Sequence, residues 1–144
     1  MLDSTTLVFP FYDGNGMFFS AGNRKVGMLF MDFVRPNRLR VQGEATVSDK
    51  DPLMASFKEA LMVVRVSVTE VWPNCPRYVH RHTRIQASRY VPRDACATPL
   101  AGWKRIDLVQ DDLPAKDQGR AAKEGGVISI EDWFGKVAQG DPEA

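Results

Sequence analysis

Six consecutive residues, Ser20-Ala21-Gly22-Asn23-Arg24-Lys25, carry the residue types that a phosphate site needs. Phosphate binding calls for donors at short range, small residues that let backbone approach, and one or two cations. A hydroxyl, a glycine, a carboxamide and an Arg-Lys pair supply all of these. A solvated turn uses the same residues, so spacing alone leaves both readings open. A second set is Arg38, Arg40 and Gln42, at alternate positions that an extended strand places on one surface. That row can donate to an anionic or carbonyl-rich ligand, or it can be a solvated strand face. In a third set, Trp103 precedes Lys104 and Arg105; its indole can stack on a planar ligand or close an apolar opening.

Other chemistries find less support. Cys75, between Asn74 and Pro76, has no paired base in the sequence and is expected to be a packed thiol. His80 and His82 have no Cys or carboxylate at ligand spacing, so no metal is expected and both are read as surface residues. The stretch from Arg77 to Arg89 is basic, but the chain balances 19 Lys and Arg against 18 Asp and Glu, for a net charge of +1. Nucleic-acid binding needs a basic surplus, so no such partner is expected. No apolar run approaches the roughly 20 residues of a membrane helix, and Met1–Phe9 lacks the pattern of a signal peptide. Two cysteines without a CxxC spacing fit a reduced, cytoplasmic protein.

These residues must be positioned by elements that the sequence patterns as mainly β. Thr5–Phe9 favours a strand, and Pro10, with no N–H to donate, is expected to end its pairing. Asp13-Gly14-Asn15-Gly16 supplies turn residues, and Met17-Phe18-Phe19 reads as a short strand. Val26–Phe33 is almost continuously apolar, as in a strand buried on both faces or set in a barrel wall. Arg35-Pro36-Asn37 makes a turn. Along Arg38–Val47, Leu39, Val41, Gly43, Ala45 and Val47 point one way, and Arg38, Arg40, Gln42, Glu44 and Thr46 the other. Pro52–Ala60 reads as a short helix, and Leu61–Trp72 as the longest strand, broken by Pro73 and Pro76. Lys116–Gly126 is polar and expected to be mobile. Ser129 followed by Asp132 marks the start of a terminal helix over about 130–138, with Gly140 past its end.

Several of these stretches, taken in order, have a wider resemblance. Tyr12–Met17 (YDGNGM), Ser20–Asn23 (SAGN), Val26–Phe33 (VGMLFMDF), Arg38–Gly43 (RLRVQG) and Pro73–His80 (PNCPRYVH) resemble the pyridoxamine 5′-phosphate oxidase-like family of flavin-binding split barrels. The branch in question consists of small bacterial proteins. Trp103-Lys104-Arg105 and Leu113–Asp117 also resemble family segments. The resemblance implies a six-stranded split β-barrel with short helices, as one domain over 1–144, with its core at 5–92 and a C-terminal extension at 93–144. Against the family pattern, the chain starts at a later strand and has only Arg24 and Lys25 between Asn23 and Val26. The barrel is therefore expected to lack its first strands.

By the same resemblance the protein is a homodimer that binds FMN in clefts at the subunit interface. Ser20 and Asn23 match the small polar turn near the flavin phosphate, and Arg24 and Lys25 resemble the Arg-Lys pair that follows this turn in the oxidases proper. Arg38 and Gln42 lie on the strand that reaches toward the ring, and Trp103 is a stacking candidate. The implied function is an FMN-dependent oxidoreductase acting on a small-molecule redox substrate. The alternatives are a non-catalytic dimeric split barrel that has lost flavin, and a barrel that takes heme or a deazaflavin. No acid–base pair stands out, so no catalytic side chain is assigned.

Overall fold

The computed structural model describes residues 3–13 and 22–142. The chain divides into two compact units, 1–86 and 87–144. The first is mainly β, with four antiparallel strands in the order β1-β4-β3-β2. The strands are β1 (Thr6–Phe11), β2 (Lys25–Asp32), β3 (Asn37–Ser48) and β4 (Met62–Asn74). Four strands, not six, are described, and the strand expected at Met17–Phe19 lies outside the described residues.

Register explains the sorting of side chains. Partners directly opposite each other share a face. Ala45 is level with Val66, which is level with Leu7; Val47 is level with Val64, which is level with Phe9. Ala45, Val64 and Val66 are fully buried, and Leu7, Phe9, Phe11, Val26, Met28 and Val47 pack around them. The opposite face carries Lys25, Glu44 and Ser67 in one row, Gly27, Gln42 and Glu70 in the next, and Met31, Arg38 and Asn74 near the far end. The alternation read from β3 is therefore the alternation found.

Three expectations about the strands are corrected. Pro10 does not end β1; it is level with Val63 inside the strand. It is tolerated because β1 is an outer strand of the described sheet, hydrogen-bonded among the described residues to β4 alone. Pro73 likewise lies inside β4, level with Leu39, beyond the last residue that β1 covers. The apolar run of β2 is not buried on both faces. Leu29 is 50% and Phe30 47% exposed, because β2 is the other outer strand of the described sheet and, among the described residues, pairs only with β3. The helix expected over Pro52–Ala60 shrinks to a 3₁₀ turn, Met54–Ser56.

One position binds the sheet together. The β3–β4 register shifts between Gln42 and Gly43: Gln42 faces Glu70, Gly43 faces Val68, and Thr69 is skipped. This bulge draws β3 close against β4. A Cβ on Gly43 would lie 2.7 Å from Val66 Cγ1 and closer still to the Ser67 carbonyl oxygen. Glycine is needed here for space.

Two carboxylates fasten the loops. Asp32 Oδ1 accepts the Val34 and Arg35 N–H groups at 2.9 and 3.0 Å, closing the β2–β3 turn. Asp51 Oδ1 accepts from Arg65 Nη2 and from the Leu53 N–H, both at 2.9 Å. The Arg65 guanidinium, then the Leu53 N–H, hold the Asp51 carboxyl below its ordinary value near 3.8.

The second unit is helical and irregular. It contains 3₁₀ turns at Gly102–Arg105 and Asp107–Asp112, then α1 (Arg120–Lys123) and α2 (Ile130–Ala138). Helix α2 matches its sequence signals: Ser129 Oγ accepts the Asp132 N–H at 3.1 Å, and Gly140 has φ 70°. The expected mobility of Lys116–Gly126 is not what the fold shows. Asp117 is 2% exposed, and Ala121 is buried, as are the apolar side chains Leu100, Ile106 and Leu113 of the same unit. Lys104 Nζ meets Asp117 Oδ2 at 2.7 Å, and Arg120 bridges Asp117 at 3.2 Å and Glu124 at 2.8 Å. Lys104 and Asp117 can be buried because they pair with each other.

Gly43→Ala is expected to destabilise the protein by the upper part of the ~1–3 kcal/mol range for overpacking, read as a lower urea midpoint. Asp51→Asn should lower stability at pH 7. A lowered folded pKa means that the Asp51 contribution is present above the unfolded pKa and lost as pH falls through the folded one. Urea midpoints of wild type and Asp51→Asn should therefore converge on acidification; a constant gap would refute this role.

Candidate functional site

The turn residues 22–24 lead into β2 along a defined path. Asn23 Oδ1 accepts the Lys25 N–H at 3.1 Å, and the Arg24 carbonyl accepts the Ala45 N–H at 2.7 Å. This clamps the start of β2 to β3 and sets Lys25 level with Glu44. On the polar face of the sheet, a concavity of about 400 Å³ is lined by Lys25, Val26, Gly27, Gln42, Gly43, Glu44 and Thr69.

The register shift helps to build this concavity. Thr69, the residue skipped on β4, lines it, and bulges commonly re-aim a side chain in this way. Gly27 leaves the floor open, since a Cβ there would meet nothing within 4 Å. The donors available are an ammonium, a carboxamide and a hydroxyl. Against them stands Glu44, whose carboxylate Oε2 lies 3.7 Å from Arg24 Nη2. Any oxyanion entering here competes with Glu44 for Arg24.

The candidate residues are thus partly assembled. Lys25 and Gln42, from different strands, meet at one concavity, with Asn23 and Arg24 at its approach. Arg38 lies elsewhere. It is four residues from Gln42 along β3, roughly 13 Å in extended chain. There it lines a separate concavity of about 560 Å³ with Phe30, Met31, Leu39, Pro73 and Asn74. Its Nε donates to the Cys75 carbonyl at 3.0 Å, and its Nη2 donates to the same oxygen. Ser20 lies outside the described residues. Trp103 belongs to the second unit, in the 3₁₀ turn Gly102–Arg105, and is 44% exposed, with Lys104 Nζ 5.6 Å from its ring centroid. Lys104 itself is committed to Asp117.

Two residues at the concavity went unmarked in the sequence. Thr69 was readable as a polar-face residue of β4, but only the bulge brings it to Gln42. Glu44 was readable on the same face as Gln42, and its effect on Arg24 depends on the β2–β3 register.

The remaining sequence candidates fall into structural roles. The His82 N–H donates to the Phe33 carbonyl at 3.0 Å, and its ring packs edge-on against Phe33 at 5.4 Å. Arg81 Nε donates to the Val34 carbonyl at 3.2 Å. Part of the basic stretch therefore holds the β2–β3 turn. Cys75 is exposed, not packed, since Pro73 and Pro76 keep its segment along the surface beyond β1; Cys96 is exposed as well. Among the described residues, no group of three or more His, Cys, Asp or Glu could hold a metal, and no helix is long and apolar enough to cross a membrane.

Glu44→Gln should free Arg24 and strengthen binding of inorganic phosphate at this concavity. Both side chains are more than half exposed, so the gain should be about two- to fivefold and should fade with salt. A titration followed by amide shifts of Lys25, Gly27 and Gln42 measures it; equal or weaker binding in the variant would count against the competition.

No family model matches the chain, and no curated protein matches it. Among solved structures, the chain is similar to the 1.70 Å crystal structure of tagged HupZ from Group A Streptococcus, at 14% identity and a TM-score of 0.39. The likeness covers 51% of this chain and 66% of that one, just under two thirds of its length.

Proposed function

We propose that this protein is a flavin-binding split barrel that holds FMN on the polar face of β2, β3 and β4, with FMN-dependent oxidoreduction as its activity. One observation carries this reading: Lys25 and Gln42, both marked by the family resemblance, line the same concavity. The donor set suits a phosphate. Lys25 would supply the charge, Gln42 and Thr69 the neutral donors, and Gly27 the room for close approach. The flavin, when bound, would supply the electron chemistry, while these residues bind and orient it. A homodimer fits the exposed apolar residues Leu29, Phe30 and Met31 on outer strand β2, which a second copy would cover.

A second reading, a non-catalytic split-barrel dimer without flavin, is favoured by the charge on the same face. Glu44 and Glu70 flank Gln42 by register, and Glu44 already engages Arg24. Both carboxylates repel a phosphate.

Quenching of FMN fluorescence by the purified protein separates the two. Saturable quenching with a Kd of about micromolar order is expected, and Lys25→Ala should weaken it about 10- to 100-fold through loss of a charge-assisted contact. No quenching by wild type at roughly 100 μM would overturn the flavin reading and leave the second.

A further inference from the structure

The second unit contains a concavity of about 380 Å³ lined by Arg89, Tyr90, Pro99, Leu100, Arg105 and Glu124. Its size falls in the range of small-molecule sites. The Glu124 carboxylate at its wall is already satisfied: Oε2 accepts the Leu100 N–H at 2.7 Å, and Oε1 accepts from Arg120 at 2.8 Å. Burial pushes this carboxyl up, but the Leu100 N–H and the Arg120 guanidinium outweigh it and hold it below the ordinary range. Arg120 also meets Asp117, which pairs with Lys104, so these two cations and two anions balance among themselves.

Arg105 is different. Its Nε donates to the Gly126 carbonyl at 2.8 Å, and its Nη2 donates to the Gly125 carbonyl. The chain presents both carbonyls through two left-handed glycines, Gly125 at φ 98° and Gly126 at φ 83°. Carbonyl dipoles orient a guanidinium without neutralising it, and Arg105 has no carboxylate partner among the described residues. It is thus a fixed cation at a concavity, and Arg89 brings a second guanidinium to the same wall. The Arg89 guanidinium carbon lies 5.8 Å from the Tyr90 ring centroid, and Pro99 and Leu100 supply apolar wall. Guanidinium groups match the planar oxygens of phosphates and carboxylates, and an aromatic ring offers a stacking surface.

We propose that this concavity binds a single-ring aromatic molecule carrying one phosphate or carboxylate group, with the anion at Arg89 and Arg105 and the ring against Tyr90, Pro99 and Leu100. The site is distinct from the residues proposed for flavin and does not rest on that reading.

The test uses the ¹⁵N-labelled full chain, titrated at low salt with phenyl phosphate, benzoate and inorganic phosphate. Saturable amide shifts are expected at Arg89, Tyr90, Leu100 and Gly125. Phenyl phosphate or benzoate should bind at least about tenfold more tightly than inorganic phosphate, since the bare ion leaves the ring surface unused. The tighter of the two aromatic probes identifies the anion. Arg89→Gln and Tyr90→Ala should each weaken the preferred probe by about tenfold, and Arg105→Lys should do so by removing the planar fork. Because Arg105 also holds the 125–126 turn, the first two variants decide the matter if Arg105→Lys does not fold. Shifts confined to other residues, no saturation by roughly 10 mM, inorganic phosphate binding as tightly as the aromatic probes, or wild-type affinity in Arg89→Gln would each overturn the proposal.

Discussion

The close contact of β3 with β4 at Gly43 is the constraint on which the first unit depends. The core residues Ala45, Val64 and Val66 lie just beyond it, on the two strands it joins. With that gap closed, the small side chains of Ala45, Val64 and Val66 bury completely among Leu7, Phe9, Phe11, Val26, Met28 and Val47. The same contact skips Thr69 in the pairing and moves it to the concavity beside Gln42. Packing on one face and site geometry on the other thus share one cause.

The second unit is stabilised by a different means. Its apolar core is small: Leu100, Ile106, Leu113 and Ala121. A chain of paired charges, Lys104, Asp117, Arg120 and Glu124, runs through it, with Thr98 and Leu100 tied in through backbone groups. Buried ion pairs gain little net energy over apolar packing, but removing one partner leaves a costly buried charge. Such a network selects one arrangement of irregular chain over its competitors. It also leaves Arg105 outside the cancellation, which is why that guanidinium can serve a ligand.

The electrostatics of the sheet face decide how strongly an oxyanion can be held. Lys25 and Glu44 sit level on neighbouring strands, and Arg24 lies within 3.7 Å of the same carboxylate. The basic pair that defines the phosphate motif in one dimension therefore meets a counter-charge in three. Among the described residues Arg38 meets no such counter-charge; the Cys75 carbonyl accepts from its Nε and Nη2 and fixes it at the other concavity. Affinity for an oxyanion at the proposed site would be a contest between protein carboxylates and ligand oxygens, with solvent screening both.

The sequence by itself determined what depends on neighbours along the chain. The alternation of β3, the Ser129 cap and the Gly140 stop were legible, because strand pleat and helix capping are local. Pro10 and Pro73 misled because a proline stops pairing only where its missing N–H is needed, and outer positions do not need it. The apolar run of β2 misled because burial depends on what covers a strand. Lys104 and Asp117 lie 13 residues apart and are buried together, which no local pattern marks. Only the tertiary structure decided which strands are outer, where β3 and β4 slip by one residue, and which charges meet. Each of these is a long-range pairing, and its energy depends on distances that no stretch of sequence contains.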